Sequence, residues 1–306
     1  MKNIKKILSI FLIGIMMISC LTGCSGGDDV EQVDVNDPFY RIENEELIKP
    51  SQNSLFRYKI YDTYVEISEY VGEETNVVIP DTIEDKEVLV IGEQAFYNNS
   101  TVSTVVMSDK IVKAGNSAFG NCRALKSIVL SANLDAIPDY MFENCVALET
   151  IKITDNVRTI GTYSFMYCNS LEQIVIPSSV EEIRGNAFSS CQNLKKVTMM
   201  DGVIGDEESN YVRTVTKILG ANVFAYCENL ETVLIPDTVV QMEESALMNS
   251  SDNIVVYGYV PSEISRYCAN QKIDFIEVIE GDAYDRQMKD RAIVVPESAL
   301  NPEVEE

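Results

Sequence analysis

Eight cysteines and not one histidine frame the chemistry open to this chain of 306 residues. Five of the thiols, on Cys122, Cys145, Cys168, Cys191 and Cys227, recur at steps of 23, 23, 23 and 36 residues. Thiolates can hold a metal or carry redox chemistry. Their spacing contains no paired-cysteine zinc motif, however, and the lack of histidine removes the commonest general base and the commonest metal ligand together. Carboxylate pairs offer another route: Glu181-Glu182 and Glu243-Glu244 could act as acid and base. Both fall at periodic places that suit solvated surface charge better. The chain has no phosphate-binding loop, dinucleotide fingerprint or nucleophile elbow. No catalytic, metal or cofactor-binding residue is assigned, and the chain is read as non-catalytic, with no cofactor.

The elements that place the thiols follow from the repeat. Phe96, Phe119, Phe142, Phe165 and Phe188 stand 23 residues apart, Phe224 follows after 36, and Leu247 fills the same slot 23 later. Leu125, Leu148, Leu171, Leu194 and Leu230 lie three after each cysteine, while Ile91, Ala114, Ile137, Ile160, Ile183, Leu219 and Met242 lie five before the Phe slot. Columns that stay in phase define a solenoid. Each unit adds a short alternating run, among them Val105-Val106-Met107, Ile128-Val129-Leu130 and Ile174-Val175-Ile176. Such runs predict strands whose first and third residues face inward, and Pro80, Pro177 and Pro236 close several of them. The expected fold is a repeat solenoid of β-rich, 23-residue coils with one parallel sheet. One coil cannot bury its own apolar side, so stacking must join the columns into a continuous core. The repeat thiols then occupy a core position as small hydrophobes. Stacking at about 4.8 Å holds their Cβ atoms farther apart than the roughly 3.8 Å a disulfide prefers; inter-coil disulfides or a redox role stand as the alternative.

The run Ile-Pro-Ser-Ser-Val-Glu-Glu-Ile-Arg-Gly-Asn-Ala-Phe-Ser-Ser-Cys-Gln-Asn-Leu at 176–194 resembles the BspA-type leucine-rich repeat of bacterial surface proteins. The resemblance covers about residues 56–279 and implies a leucine-rich-repeat solenoid used for adhesion or ligand binding. Phe56 to Pro80 is similar to the family's opening β unit, and 254–278 to its closing strand and short helix. There are two departures: five extra residues between Pro80 and Phe96, and 13 between about Asp201 and Thr216. At the N-terminus, Lys2, Lys5 and Lys6 lead into an apolar run from Ile7 to Ile18 that is short for a spanning helix. It ends in Leu21-Thr22-Gly23-Cys24, which resembles a bacterial lipobox. That resemblance implies cleavage before Cys24, lipid on its sulfur, and an exported protein anchored to the outer face of the cell membrane. The expected organisation is a signal peptide over 1–23, a flexible tether over 24–52, the solenoid over 53–279 and a mobile acidic tail over 280–306. Reduced core thiols in an exported protein would suit an anaerobic or reducing habitat.

A net charge of −24 argues against nucleic acid as a partner. Strand residues expected to point away from the core are Val78, Val106, Val129, Lys152, Val175, Thr198 and Leu234, flanked by Lys126, Glu149, Glu172, Lys195 and Glu231. Most of the seven are apolar where a solvated sheet would carry polar groups, which fits either a regular β-branched ladder or a contact strip. The insertion over 201–216 predicts a projecting hairpin, with Tyr211 and Arg213 as further candidate contacts. Tyr58, Tyr61, Tyr64 and Tyr70 suit capping of the first coil, with ligand binding as the alternative. The expected function is a monomeric recognition module that holds a protein or glycan at the cell surface. The alternative is a structural or assembly component of the envelope that binds another surface protein.

Overall fold

Alternating aromatic and aliphatic residues between Phe56 and Tyr70 dictate a two-faced hairpin, and the solenoid starts from it. A computed structural model of the chain describes residues 37–201, 203–204, 213–214 and 217–278. The chain enters through helix α1 (Pro38–Asn44) and strand β1 (Lys49–Gln52), which runs antiparallel to β2 (Phe56–Ile60); β2 pairs antiparallel with β3 (Tyr64–Tyr70). Phe56, Tyr58 and Ile60 point inward and Arg57 outward. Ordered structure over 38–52 corrects the expectation of a tether reaching to residue 52. The cause is a set of contacts distant in sequence. Arg41 Nη1 donates to Glu87 Oε2 at 2.7 Å, and its other nitrogens donate to the Thr63 hydroxyl at 2.6 Å and carbonyl at 2.8 Å. Ile42 packs on a small cluster of Tyr64, Leu89 and Val112. The leader, Cys24, the tether up to residue 36 and the tail over 280–306 lie outside the described residues.

After β4 (Asn76–Val78), the five extra residues are taken up by a hairpin of β5 (Thr82–Ile83) and β6 (Lys86–Ile91). Each following coil carries a front strand and a short back strand. They are β7 (Thr104–Val106) and β8 (Lys113–Ala114), β9 (Ser127–Val129) and β10 (Ala136–Ile137), β11 (Thr150–Ile151) and β12 (Thr159–Ile160), then β13 (Gln173–Ile176) and β14 (Glu182–Ile183). Next come β15 (Lys196–Met199), the inserted hairpin β16 (Val203–Ile204) and β17 (Arg213–Thr214), and β18 (Lys217–Leu219). The series closes with β19 (Thr232–Leu234), β20 (Val239–Met242), β21 (Val255–Gly258), helix α2 (Glu263–Gln271) and β22 (Asp274–Glu277). Ser262 and Ser265 cap α2 reciprocally.

Pairing follows the period, as when Val105 faces Ile128 and Ile174 faces Val197. The single parallel sheet expected is replaced by several. The front divides into β11-β9-β7-β4 and β13-β15-β19-β21-β22, and a separate back ladder runs β10-β12-β14-β18-β20. The front divides at β11, a strand only two residues long.

The core lies between the two ladders. Phe96, Phe119, Phe142, Phe165, Phe188 and Phe224 form one continuous stack, with successive ring centroids 4.7 to 5.8 Å apart. Tyr70 stacks on Phe96 at 5.0 Å and Phe56 meets it edge-on, so the opening unit closes the stack. Tyr58 is buried beside them, whereas Tyr61 and Tyr64 stack on each other in the small cluster under α1.

Candidate functional site

The thiols come first, because their column is the most regular chemical feature. Each is buried, and each Sγ donates to the carbonyl of the phenylalanine one coil back: Cys122 to Phe96, Cys145 to Phe119, Cys168 to Phe142, Cys191 to Phe165 and Cys227 to Phe188, at 3.0 to 3.3 Å. Burial pushes Cys122 and Cys227 up to about 12 and the three between them well above the ordinary thiol range. A nucleophilic or metal-binding cysteine needs the thiolate, and this environment suppresses it. The thiols fill space and satisfy a carbonyl at the coil corner. The carboxylate pairs are equally plain: Arg158 donates to Glu181 at 2.9 Å, Arg184 sits 3.1 Å from Glu182, and Glu243 and Glu244 are exposed. Among the described residues no cluster of three acidic or thiol side chains could hold a metal.

The expected front strip holds for part of its length. Val78 is 51% exposed, Lys152 is exposed, and Val106, Val129 and Val175 are half-buried in one outward line. Thr198 and Leu234, predicted to extend it, are each only 3% exposed. The repeat prescribes an open face only while each coil resembles the last, and β15 leads directly into the inserted hairpin. The outward-facing line therefore ends at Val175. Tyr211 and the side chain of Arg213 lie outside the described residues.

Two features escaped the sequence reading. At each of the six Phe corners the residues two before and two after the Phe take positive φ, from 54° to 62°. Glutamine, serine and asparagine hold most of these places; an amide ladder links Asn98, Asn121 and Asn144 along one column. Asparagine tolerates this backbone because its short side chain bonds locally. Tyr140, Tyr163, Tyr167 and Tyr226 adopt it too, at a strain on the order of 1–2 kcal/mol each. The asparagine recurrence was a readable signal; the tyrosines obscured it.

The second feature is Lys217, 1% exposed, whose Nζ donates to the carbonyls of Val180 at 2.6 Å, Ser178 at 2.9 Å and Pro177 at 3.3 Å. Val157, Val180 and Val239 stand three residues before Ile160, Ile183 and Met242, but Lys217 stands only two before Leu219 and pairs with Val239 across a bulge. The slip places a lysine in an apolar column. Burial pushes its pKa down to about 8, opposed by the charges of Asp201 and Glu181.

A profile of the BspA type leucine rich repeat region matches the chain in six copies, across residues 89–213 and 206–279. The chain belongs to the BspA-type leucine-rich repeat family. No curated protein matches it. Among solved structures, this BspA-type chain is similar to a leucine rich repeat protein of T. pallidum, at 25% identity and a TM-score of 0.54, over 75% of this chain and 98% of that one. It is also similar to a leucine-rich repeat protein from Bacteroides ovatus, at 22% identity and a TM-score of 0.52, over 69% of this chain and 56% of the other. The second likeness speaks to fold alone. No helix among the described residues of the BspA-type solenoid is long and apolar enough to cross a membrane.

Proposed function

We propose that this BspA-type protein is a non-catalytic recognition module, held at the outer face of the cell membrane by lipid on Cys24, that binds a protein or glycan through its front sheet. The observation that carries the reading is the outward line of Val78, Val106, Val129, Lys152 and Val175, apolar at four of its five positions and rimmed by exposed Lys126, Glu149 and Glu172. Apolar side chains within a charged rim are the ordinary composition of a contact patch. Anchoring rests on Leu21-Thr22-Gly23-Cys24. The same patch would serve an envelope component that binds a sister protein, so the test offers both partners. Purified protein and a Val129→Glu/Val175→Glu variant are immobilised and exposed to solubilised host matrix and to envelope extract. Capture from host matrix by the parent, lost in the variant at unchanged thermal stability, supports recognition outside the cell. Capture only from the envelope favours assembly, and equal capture by both proteins removes the front strip from consideration.

A further inference from the structure

Three of the four strained tyrosines fall in two adjacent coils, well away from the front strip. Tyr140 and Tyr163 occupy the same corner position one coil apart, with rings stacked at 5.1 Å and 18° between planes. Tyr167 follows on the far side of the second corner and is exposed, as is Tyr140. Backbone bonds lock the corners side by side: the Tyr140 N–H donates to the Thr162 carbonyl at 2.9 Å and the Asn144 N–H to that of Met166 at 2.7 Å. Rings that stay in water add little to the core, yet they hold a backbone conformation that bulky residues avoid. Neighbouring coils fill the same places with Ser117, Asn121, Asn186 and Ser190. The needs of the corner backbone therefore do not explain the rings.

The surrounding charge selects the ligand. Across the two corners, residues 138–146 and 161–169, the charged side chains are Asp139 and Glu143, and there is no lysine or arginine. Asp139 Oδ1 accepts the Thr162 N–H at 2.7 Å. Glu143 is half-buried, and no hydrogen bond or ion pair reaches its carboxylate among the described residues. Burial pushes its pKa up with no cation to oppose it. A neutral sugar could donate hydroxyls to that carboxylate but would leave its charge unbalanced, and two of the ring faces are turned on each other instead of outward. A guanidinium can stack on a tyrosine face and pair with a carboxylate together. The −24 charge of the chain draws such groups in. We propose that Tyr140, Tyr163 and Tyr167, with Asp139 and Glu143, form a binding site for an arginine-rich polypeptide segment.

The probe is a hexa-arginine peptide titrated into the full chain, followed by calorimetry and by tyrosine fluorescence, which no tryptophan obscures. Replacing all three tyrosines by asparagine leaves the net charge unchanged and installs the residue that the corner favours. The triple variant should lose at least tenfold in affinity without a fall in melting temperature, and Glu143→Gln should lose several-fold. A Val129→Glu/Val175→Glu variant should bind the peptide undiminished, which separates this site from the front strip. Undiminished affinity in the triple variant would mean attraction to bulk negative charge and would overturn the proposal. So would tyrosine-dependent binding of chitohexaose or cellohexaose that hexa-arginine does not displace. If the triple variant fails to fold, Glu143→Gln decides, and unchanged affinity there also overturns the site.

Discussion

A lysine ammonium among apolar side chains must either shed its proton or find acceptors for it. Lys217 finds three, all backbone carbonyls of the turn at 177–180 in the preceding coil. Burial nevertheless lowers its pKa to about 8 from an ordinary value of 10.5. Between those values the unfolded chain binds the proton more tightly than the folded one, so the stability contributed by this residue rises as pH climbs from about 8 to 10.5. Lys217→Met abolishes the titration while filling similar volume. Denaturant titrations of the two proteins should show the difference moving in favour of the parent by on the order of 2–3 kcal/mol between pH 7.5 and pH 10. A difference that stays flat would mean the carbonyls hold the ammonium charged throughout. Nothing in the sequence marked this lysine, because a slip of one residue, visible only in the pairing, turns it inward.

At the scale of the coil, the stacked phenylalanines set the energetics. Phe165 is fully buried, with rings 5.2 Å to one side and 4.9 Å to the other. Phe165→Ala removes both contacts and should cost about 3–5 kcal/mol. Because coils support only their neighbours, the loss should also weaken coupling between the two halves, seen as a lower denaturant midpoint and a shallower transition. The Phe, Cys and Leu columns were legible in sequence because each recurs at one spacing and faces one core. The back ladder was not, since a strand such as Thr159–Ile160 is too short to display a period of two. Helix α1 was missed for a different reason: the Arg41–Glu87 bond joins residues 46 apart that show no local sign of each other. Thr198 and Leu234 fall on the open face only if the repeat is extrapolated into and beyond the coil where it changes.

At the scale of the whole molecule, contacts along the solenoid run mainly from one coil to the next, at a separation of about one period. The front strip is built from strand centres and the tyrosine site from coil corners, so the two surfaces can vary independently on one core. The protein carries its acidity over the same frame, with 48 acidic against 24 basic side chains. That surplus would speed encounter with any cationic partner and would fade with added salt.

The thiol column has a use as instrumentation. An alkylating reagent can reach Cys122, Cys145, Cys168, Cys191 or Cys227 only when that coil lifts from the one before it, breaking the bond to the phenylalanine carbonyl. Closed-state reactivity is suppressed at all five, so each labelling rate reports an opening frequency. Pulse labelling read by peptide mass should find Cys268, in the closing helix, modified first and Cys168, in the middle, last. Identical rates at all six would mean that the solenoid opens only as a whole. Graded rates would make the chain a ruler with one mark per coil, and bound ligand would be located by the marks that it slows.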